Sequence, residues 1–413
     1  MPVSVKLSAR QGVAYIYVSL LLTLFFGLGS SSLSARLMTE AELGSYRLII
    51  SVVSVAASAL TFGMLSSAGS LLANAKSRRL RNVLWQGALG QAAIVAVGCT
   101  AVTSVIVYRS GAGGGSYLLW LVGAALAGSM GWQLLLQETL RAEGRFAGIA
   151  ILNAAPTALF LVLLVAAWLL DLQISAALCT VLFFLSQGIV ALALFASRGR
   201  IPTPTLASLV FLARKNRNLG LNVYWATFLG ALTAQAGIVA LQATRSMSEV
   251  GVFALAVTLS APLAMLPSAV GTAYFSQLAG GNRFPPKVLR VSWLLVAVLA
   301  IGYVIVVPFA VHLLYGARYD AVTEPARLCG VAALLHGMGD VYNRYYLANR
   351  ETRLLLVVVA IVCVVAMAAS FLASPSFGLL GTGLARLASS GTYVALVGVR
   401  YHLARATGPK VLK

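Results

Sequence analysis

The sequence is poor in charge: Asp, Glu, Lys and Arg make up 10% of its 413 residues, and the acids number ten. A soluble globular domain carries about 25% charged residues, so this chain cannot coat a water-exposed surface. That excludes one or two soluble domains and a disordered chain. Cysteine is also scarce. Cys99, Cys179, Cys329 and Cys363 all lie inside apolar runs, with neither pairing nor metal-ligand spacing. They read as small buried hydrophobes, which excludes a disulfide scaffold and leaves no metal or cofactor to expect.

What the chain has in abundance is apolar sequence, 60% of all residues. A membrane-crossing helix needs about 20 apolar residues. Nine charge-free stretches reach that length: 11–35, 48–75, 82–108, 110–137, 146–170, 172–197, 218–244, 250–282 and 291–317. A tenth, 354–385, is too long for one helix. The break at Ser374-Pro375-Ser376 predicts one helix to about Ala373 and another through Arg386 to about Arg400. Segment 323–347 spans if Asp340 and Arg344 are tolerated inside it. The expectation is an all-α polytopic membrane protein of about 12 transmembrane helices. Pro156, Pro262, Pro267 and Pro308 lie inside spans and are expected to kink them.

Such charge as there is is basic, +20 net. With the N-terminus inside, 23 of the 30 Lys and Arg fall on one side, in clusters such as Lys76 to Arg81 and Arg198 to Arg217. Six fall on the other side (Arg36, Arg47, Arg109, Arg245, Arg318 and Arg327), and Arg386 lies within a span. This asymmetry predicts that both termini are cytoplasmic. It assigns the net charge to topology and anionic lipid rather than to nucleic acid. The first apolar run follows Lys6 and Arg10 as a signal peptide would, but it runs 25 residues without an Ala-x-Ala site, so an uncleaved helix is expected. In the polar connection 198–217, Leu206, Leu209, Val210 and Ala213 keep helical spacing ahead of Arg214, Lys215 and Arg217. That predicts an amphipathic helix on the cytoplasmic membrane surface, linking an N-terminal lobe (1–197) to a C-terminal lobe (218–413).

The two lobes repeat. Glu42-Leu43-Gly44-Ser45-Tyr46-Arg47-Leu48 matches Glu249-Val250-Gly251-Val252-Phe253-Ala254-Leu255 at an offset of 207 residues. At the same offset Leu140 matches Leu347, each followed by a short basic turn. Six helices per copy is an even number, so the copies share an orientation and an axis along the membrane normal. Within the motif, Glu42 and Glu249 favour a helix N-terminus, and Gly44 and Gly251 admit a close helical neighbour. Two six-helix lobes imply a central cleft and alternating access, the pattern of a transporter.

The stretch from Ala35 to Tyr46, Ala35-Arg36-Leu37-Met38-Thr39-Glu40-Ala41-Glu42-Leu43-Gly44-Ser45-Tyr46, resembles the first external loop of polysaccharide-biosynthesis flippases. These are the O-antigen-type members of the multidrug/oligosaccharidyl-lipid/polysaccharide exporter superfamily. Leu140 to Phe146, Glu249 to Ala256, Leu314 to Tyr319 and Phe377 to Gly383 extend the resemblance over nearly the whole chain. It implies a bacterial inner-membrane protein, not an enzyme. Its task would be to move an undecaprenyl-pyrophosphate-linked oligosaccharide to the periplasmic leaflet, beside the polymerase and glycosyltransferases of the same pathway. The chain departs from the family at Gln235, where an acid is usual, with Gln242 following, and at Arg386, where a small apolar residue is usual. Lacking two further helices, it also departs from the fourteen-helix lipid II branch.

A flippase needs no nucleophile or base; it must carry a diphosphate and sugars through a low-dielectric slab. Arginine suits phosphate, and charges inside spans usually face a cavity or a partner. The substrate-binding candidates are therefore Arg386, Arg344, Arg36 and Arg47. His336, Asp340 and Arg344, at i, i+4 and i+8, share one helical face, and Asp340, His336 and Glu138 are candidates for an ion, a proton or a structural pair. Two structural alternatives stand beside these: a tie of Asp340 to Arg386 or to Arg344, and snorkelling of Arg344 to the interface. Gln235 and Gln242 are polar cleft candidates, and Gln133, Gln137 and Glu138 could line an inward-open cleft. Two other functions remain open. A cation-coupled drug exporter on the same fold would favour acids in the first three spans, which have none. A membrane glycosyltransferase or polymerase would need a catalytic carboxylate loop, whereas Glu40 with Glu42 and Asp320 with Glu324 read as helix-start charges.

Overall fold

The computed structural model describes residues 9–109, 117–198, 202–278, 283–349 and 351–406, without the side chains of 9–14, 109, 218, 219, 223, 276 and 404–406. Of the bases behind the expected orientation, Lys6, Arg200, Arg350, Lys410 and Lys413 lie outside the described residues, as do the side chains of Arg10, Arg109 and Arg405. The regular elements among the described residues are all helical. They are α1 (Ala9–Leu37), α2 (Glu40–Leu60), α3 (Met64–Ala73), α4 (Arg78–Arg109), α5 (Tyr117–Leu126), α6 (Ser129–Ala142), α7 (Phe146–Leu169) and α8 (Ala176–Ala196). There follow α9 (Leu206–Leu219), α10 (Leu221–Thr244), α11 (Met247–Leu278), α12 (Pro286–Tyr315), a 3-10 turn at Ala317–Val322, α13 (Thr323–Ala348) and α14 (Thr352–Ala406).

Among the described residues, 10 helical stretches are long and apolar enough to cross a membrane, with α5 and α6 forming one of them. The 52-residue stretch in α14 is a single member of that set but consists of two helices joined at Gly378. The 26-residue α13 is long enough to cross yet carries Glu324, Arg327, Asp340 and Arg344. Counted this way the chain has about twelve crossings, as the apolar runs predict. All four cysteines are free and buried.

The interruptions fall at glycines. The apolar run 48–75 is two helices: α2 stops at Leu60, Phe62 (φ 45°) and Gly63 (φ 71°) turn the chain, and α3 begins at Met64. In lipid a backbone carbonyl freed by such a turn needs a partner. Gln91 of α4 donates to the Leu60 carbonyl at 2.6 Å, and Asn216 of α9 donates to the Phe62 carbonyl at 2.7 Å. Ser67 of α3 donates in turn to Asn216 Oδ1 at 2.6 Å. The segment expected to be a surface helix forms as α9, with a Thr205–Ser208 capping box, and buries Ser208, Leu212 and Asn216. Just before it, Arg198 bonds Glu143 and Thr139, each at 3.1 Å, with its guanidinium 4.9 Å from the Trp85 ring. Burial draws that guanidinium below the usual arginine value, against the pull of Glu143.

The break expected at Ser374-Pro375-Ser376 lies slightly later. The helix continues through Pro375 and turns at Gly378 (φ 53°, ψ −126°). A proline removes one donor, but only glycine readily adopts that backbone conformation. Arg245 donates to the Ser374 and Pro375 carbonyls at 3.0 and 2.7 Å and so satisfies acceptors at the turn. The prolines at 156, 262, 267 and 308 sit inside continuous helices.

The chain forms two compact units. Unit one comprises Met1–Met38 with Ile49–Trp225, and unit two comprises Thr39–Leu48 with Ala226–Lys413. Unit one is cored by residues such as Leu84, Leu135, Leu136 and Phe184, and unit two by Leu334, Met338, Tyr342, Tyr346 and Val397. The opening turns of α2 belong to unit two, where they meet the other copy of the repeated motif.

Candidate functional site

In unit two the site is shaped by small residues. Gly337 of α13 lies against the Ala264 backbone of α11, and a Cβ there would collide with that carbonyl. Gly271 of α11 leaves room for the stem of Arg344, whose Cγ would lie 2.9 Å from a Cβ at that position. Gly339 opens a slot for the ring of Tyr393 from the second half of α14. Bare glycine surfaces of this kind let membrane helices approach closely.

Seated in that slot, Tyr393 donates its hydroxyl to Asp340 Oδ1 at 3.0 Å. Its ring stacks on His336, with centroids 4.7 Å apart and planes at 30°. Asn343 and the charge of Arg344 also reach Tyr393, while Arg386 and Asp340 both lie in electrostatic range of His336. The shared face predicted for His336, Asp340 and Arg344 thus converges on one tyrosine. Tyr393 is missing from the sequence reading because it sits in an apolar run, without spacing that marks it out.

Arg386 reaches the Ala234 carbonyl of α10 at 3.4 Å. It borders a void of about 10 Å³ between polar side chains that include Thr233, Ser370, Thr382 and Ser389. Among the described residues, neither Arg386 nor Arg344 makes an ion pair, and Asp340 is bonded to Tyr393 rather than tied to either arginine. Gln235 is half-buried beside this void without lining it, and Gln242 is exposed nearer the end of α10. Arg36 is exposed in the last turn of α1. Arg47 is half-buried in α2, its guanidinium 5.6 Å from the Tyr46 ring.

Unit one contains a cavity of about 220 Å³ between α6, α7 and α8. Its polar lining is Gln133 and Gln137 from α6, Asn153 and Thr157 from α7, and Gln187 from α8. Gln133 donates its amide to Gln187 Oε1. No acid or base lines it. Glu138, next to Gln137 in sequence, points elsewhere: it pairs with Arg141 at 3.2 Å and packs on Gly69 of α3. The repeat offset of 207 carries Gln133 onto Asp340 and Gln137 onto Arg344. Equivalent positions are therefore neutral in one copy and ionisable in the other. Applied to the His336–Arg344 face, that offset would have exposed the cavity from sequence; Asn153, Thr157 and Gln187 carry no such signal. Among the described residues, no group of three or more His, Cys, Asp or Glu is placed to hold a metal ion.

No family model and no curated protein matches the chain. Solved structures do. The chain is similar to the lipid II flippase MurJ in an inward closed conformation, with a TM-score of 0.77 and 12% identity over 94% of this chain and 87% of that one. It is also similar to an inward-facing multidrug resistance MATE family transporter of the MOP superfamily, with a TM-score of 0.71 and 15% identity over 96% of this chain and 100% of that one. A MOP superfamily transporter from Pyrococcus furiosus aligns with a TM-score of 0.59 and 14% identity, covering 96% of this chain and 95% of that one. At these identities the likeness is one of fold. The chain has a MurJ/MATE-like all-helical fold, consistent with the expectation of about twelve transmembrane helices from the sequence.

Proposed function

We propose that this protein is a flippase that moves a polyprenyl-pyrophosphate-linked oligosaccharide across the bacterial inner membrane by alternating access. The observation that carries the reading is the pair Arg344 and Arg386 in unit two. Both guanidiniums sit within membrane-length helices and lack an ion-pair partner among the described residues, while the one nearby acid is engaged by Tyr393. Both are half-buried, and a cation held within a membrane-length helix without a counter-ion is costly unless it faces a cavity or an anion visits it. A diphosphate, which accepts the arginine fork on two oxygens, would meet that need. The fold likeness to a lipid II flippase supports the same class of substrate.

The likeness to MATE transporters supports a second reading, export of small drugs. The neutral lining of the unit-one cavity and the arginines of unit two favour the first, because the cavity offers no carboxylate to a cationic drug and the acid of the unit-two cluster, Asp340, is bonded to Tyr393. Reconstitution separates the two. Purified protein in vesicles should expose a labelled undecaprenyl-pyrophosphate glycan to an enzyme added outside, at a rate above that of protein-free vesicles. Resistance to several cationic drugs on expression, without glycan-lipid movement, would replace the flippase reading with the exporter.

A further inference from the structure

Unit one offers a pocket that the diphosphate does not need. Its lining is uncharged throughout, yet rich in hydrogen-bonding groups. Gln137 and Asn153 each present an amide that both donates and accepts, and Thr157 adds a hydroxyl. Pro156 contributes less obviously. Having no N–H, it leaves the carbonyl of Leu152, four residues earlier and also at the cavity wall, without its helical donor. Proline in this way frees one backbone acceptor within α7. Gln133 and Gln187 bond each other across one side and hold α6 to α8.

A volume of about 220 Å³ exceeds the roughly 30 Å³ share of a single water several-fold. A ligand filling it must be compact, neutral, and able to donate and accept around its rim. Cations find no carboxylate in this lining and anions no base. A sugar ring, with hydroxyls that both donate and accept and apolar C–H faces, suits the alternation of amides with Met130 and Leu134 on α6.

We infer that the α6–α7–α8 cavity is a saccharide subsite, taking a neutral pyranose of the lipid-linked glycan through Gln137, Asn153 and Thr157. This deepens the flippase reading and rests on it. The two copies of the repeat then divide the substrate by chemistry. Gln137 in unit one receives sugar, and its counterpart at the repeat offset, Arg344, lies in the ionisable cluster of unit two.

The test measures binding of two probes to the full-length protein in lipid nanodiscs. One is undecaprenyl pyrophosphate bearing a single N-acetylglucosamine, and the other is the same lipid without sugar. The wild type should prefer the sugar-bearing lipid by about tenfold, the worth of one or two hydrogen bonds. Gln137→Leu and Asn153→Leu should abolish that preference, with affinity for the bare lipid retained. Thr157→Val keeps the side-chain shape and should lower the preference in the same direction, so the test survives if a leucine variant fails to fold. Equal binding of the two lipids by wild type, or a preference untouched by Thr157→Val and by each folded leucine variant, overturns the inference and leaves the flippase reading standing. Binding of neither lipid would overturn both.

Discussion

Gly44 of α2 and Gly251 of α11, 207 residues apart, pack directly against each other within unit two. A Cβ on Gly44 would collide with the Met247 carbonyl and lie 3.1 Å from the Gly251 nitrogen. A Cβ on Gly251 would collide with the Glu40 carbonyl and lie 2.9 Å from the Gly44 nitrogen. The flanking caps repeat as well. Thr39 and Glu42 exchange backbone-to-side-chain bonds at 3.1 and 3.2 Å, and at the same offset Ser246 accepts from the Glu249 amide at 3.3 Å. The two copies of the motif are thus each other's packing partners.

This contact is rigid on both sides, because the atoms in the way are backbone. Gly251→Ala should cost about 1–3 kcal/mol through overpacking and lower the melting temperature of the purified protein. Gly391→Ala, where nothing lies within 4 Å of the added carbon, is the matched control and should be neutral or mildly stabilising. Equal melting temperatures for the two variants would remove the packing role assigned to the motif.

Much of this architecture is legible in the sequence because lipid imposes a simple code: apolar length marks the crossings, and the offset between Glu42-Leu43-Gly44 and Glu249-Val250-Gly251 marks the duplication. Breaks inside apolar runs are harder to read. Pro375 is the conspicuous residue, yet the turn waits for Gly378, the residue able to take φ 53°. Gly63, one of many glycines in the chain, gives no warning that Phe62 beside it will also turn left-handed. At the site, charge inside a span points to His336, Asp340 and Arg344, whereas Tyr393 and Gln187 are partners only in three dimensions.

Asn216 holds the α2–α3 break with both ends of its amide, accepting from Ser67 and donating to the Phe62 carbonyl. Asn216→Leu keeps the size but orphans both groups. A buried unsatisfied group costs about 1–3 kcal/mol, so thermal stability should fall by more than it does in Ser67→Ala, which removes one bond. Identical losses in the two variants would mean that the amide does not anchor the turn.

The Tyr393–Asp340 bond makes a comparable prediction in unit two. Tyr393→Phe preserves the stacking on His336 but leaves Asp340 without its donor, and should destabilise by about 1–3 kcal/mol. Adding Asp340→Asn removes the uncompensated carboxylate and should recover part of the loss. A double-mutant cycle with no coupling energy would show that the bond carries no stability.

Orientation is open to direct chemistry. The asymmetry of 23 bases against six predicts that Ser77, between α3 and α4, faces the cytoplasm and Asp320, after α12, faces outward. A cysteine at 320 should react with a membrane-impermeant maleimide in intact cells, and one at 77 should react only after lysis. The reverse pattern would invert the topology.

Arg386 gives the sharpest test of the proposed function, because its two roles predict different phenotypes. If it tied Asp340 as a structural counter-ion, Arg386→Ala would strand an uncompensated, half-buried carboxylate and deplete the protein, and Asp340→Asn would restore it. The geometry argues otherwise: Asp340 is bonded to Tyr393 at 3.0 Å, and Arg386 reaches only a backbone carbonyl at 3.4 Å. Arg386→Ala should therefore leave abundance near wild type while abolishing glycan-lipid translocation, and Arg386→Lys, which keeps the charge but loses the fork, should retain part of it. Abundance and translocation measured together in both variants decide the matter. An abundant Arg386→Ala protein that translocates normally would remove this arginine from the substrate path, and depletion rescued by Asp340→Asn would return it to a structural role.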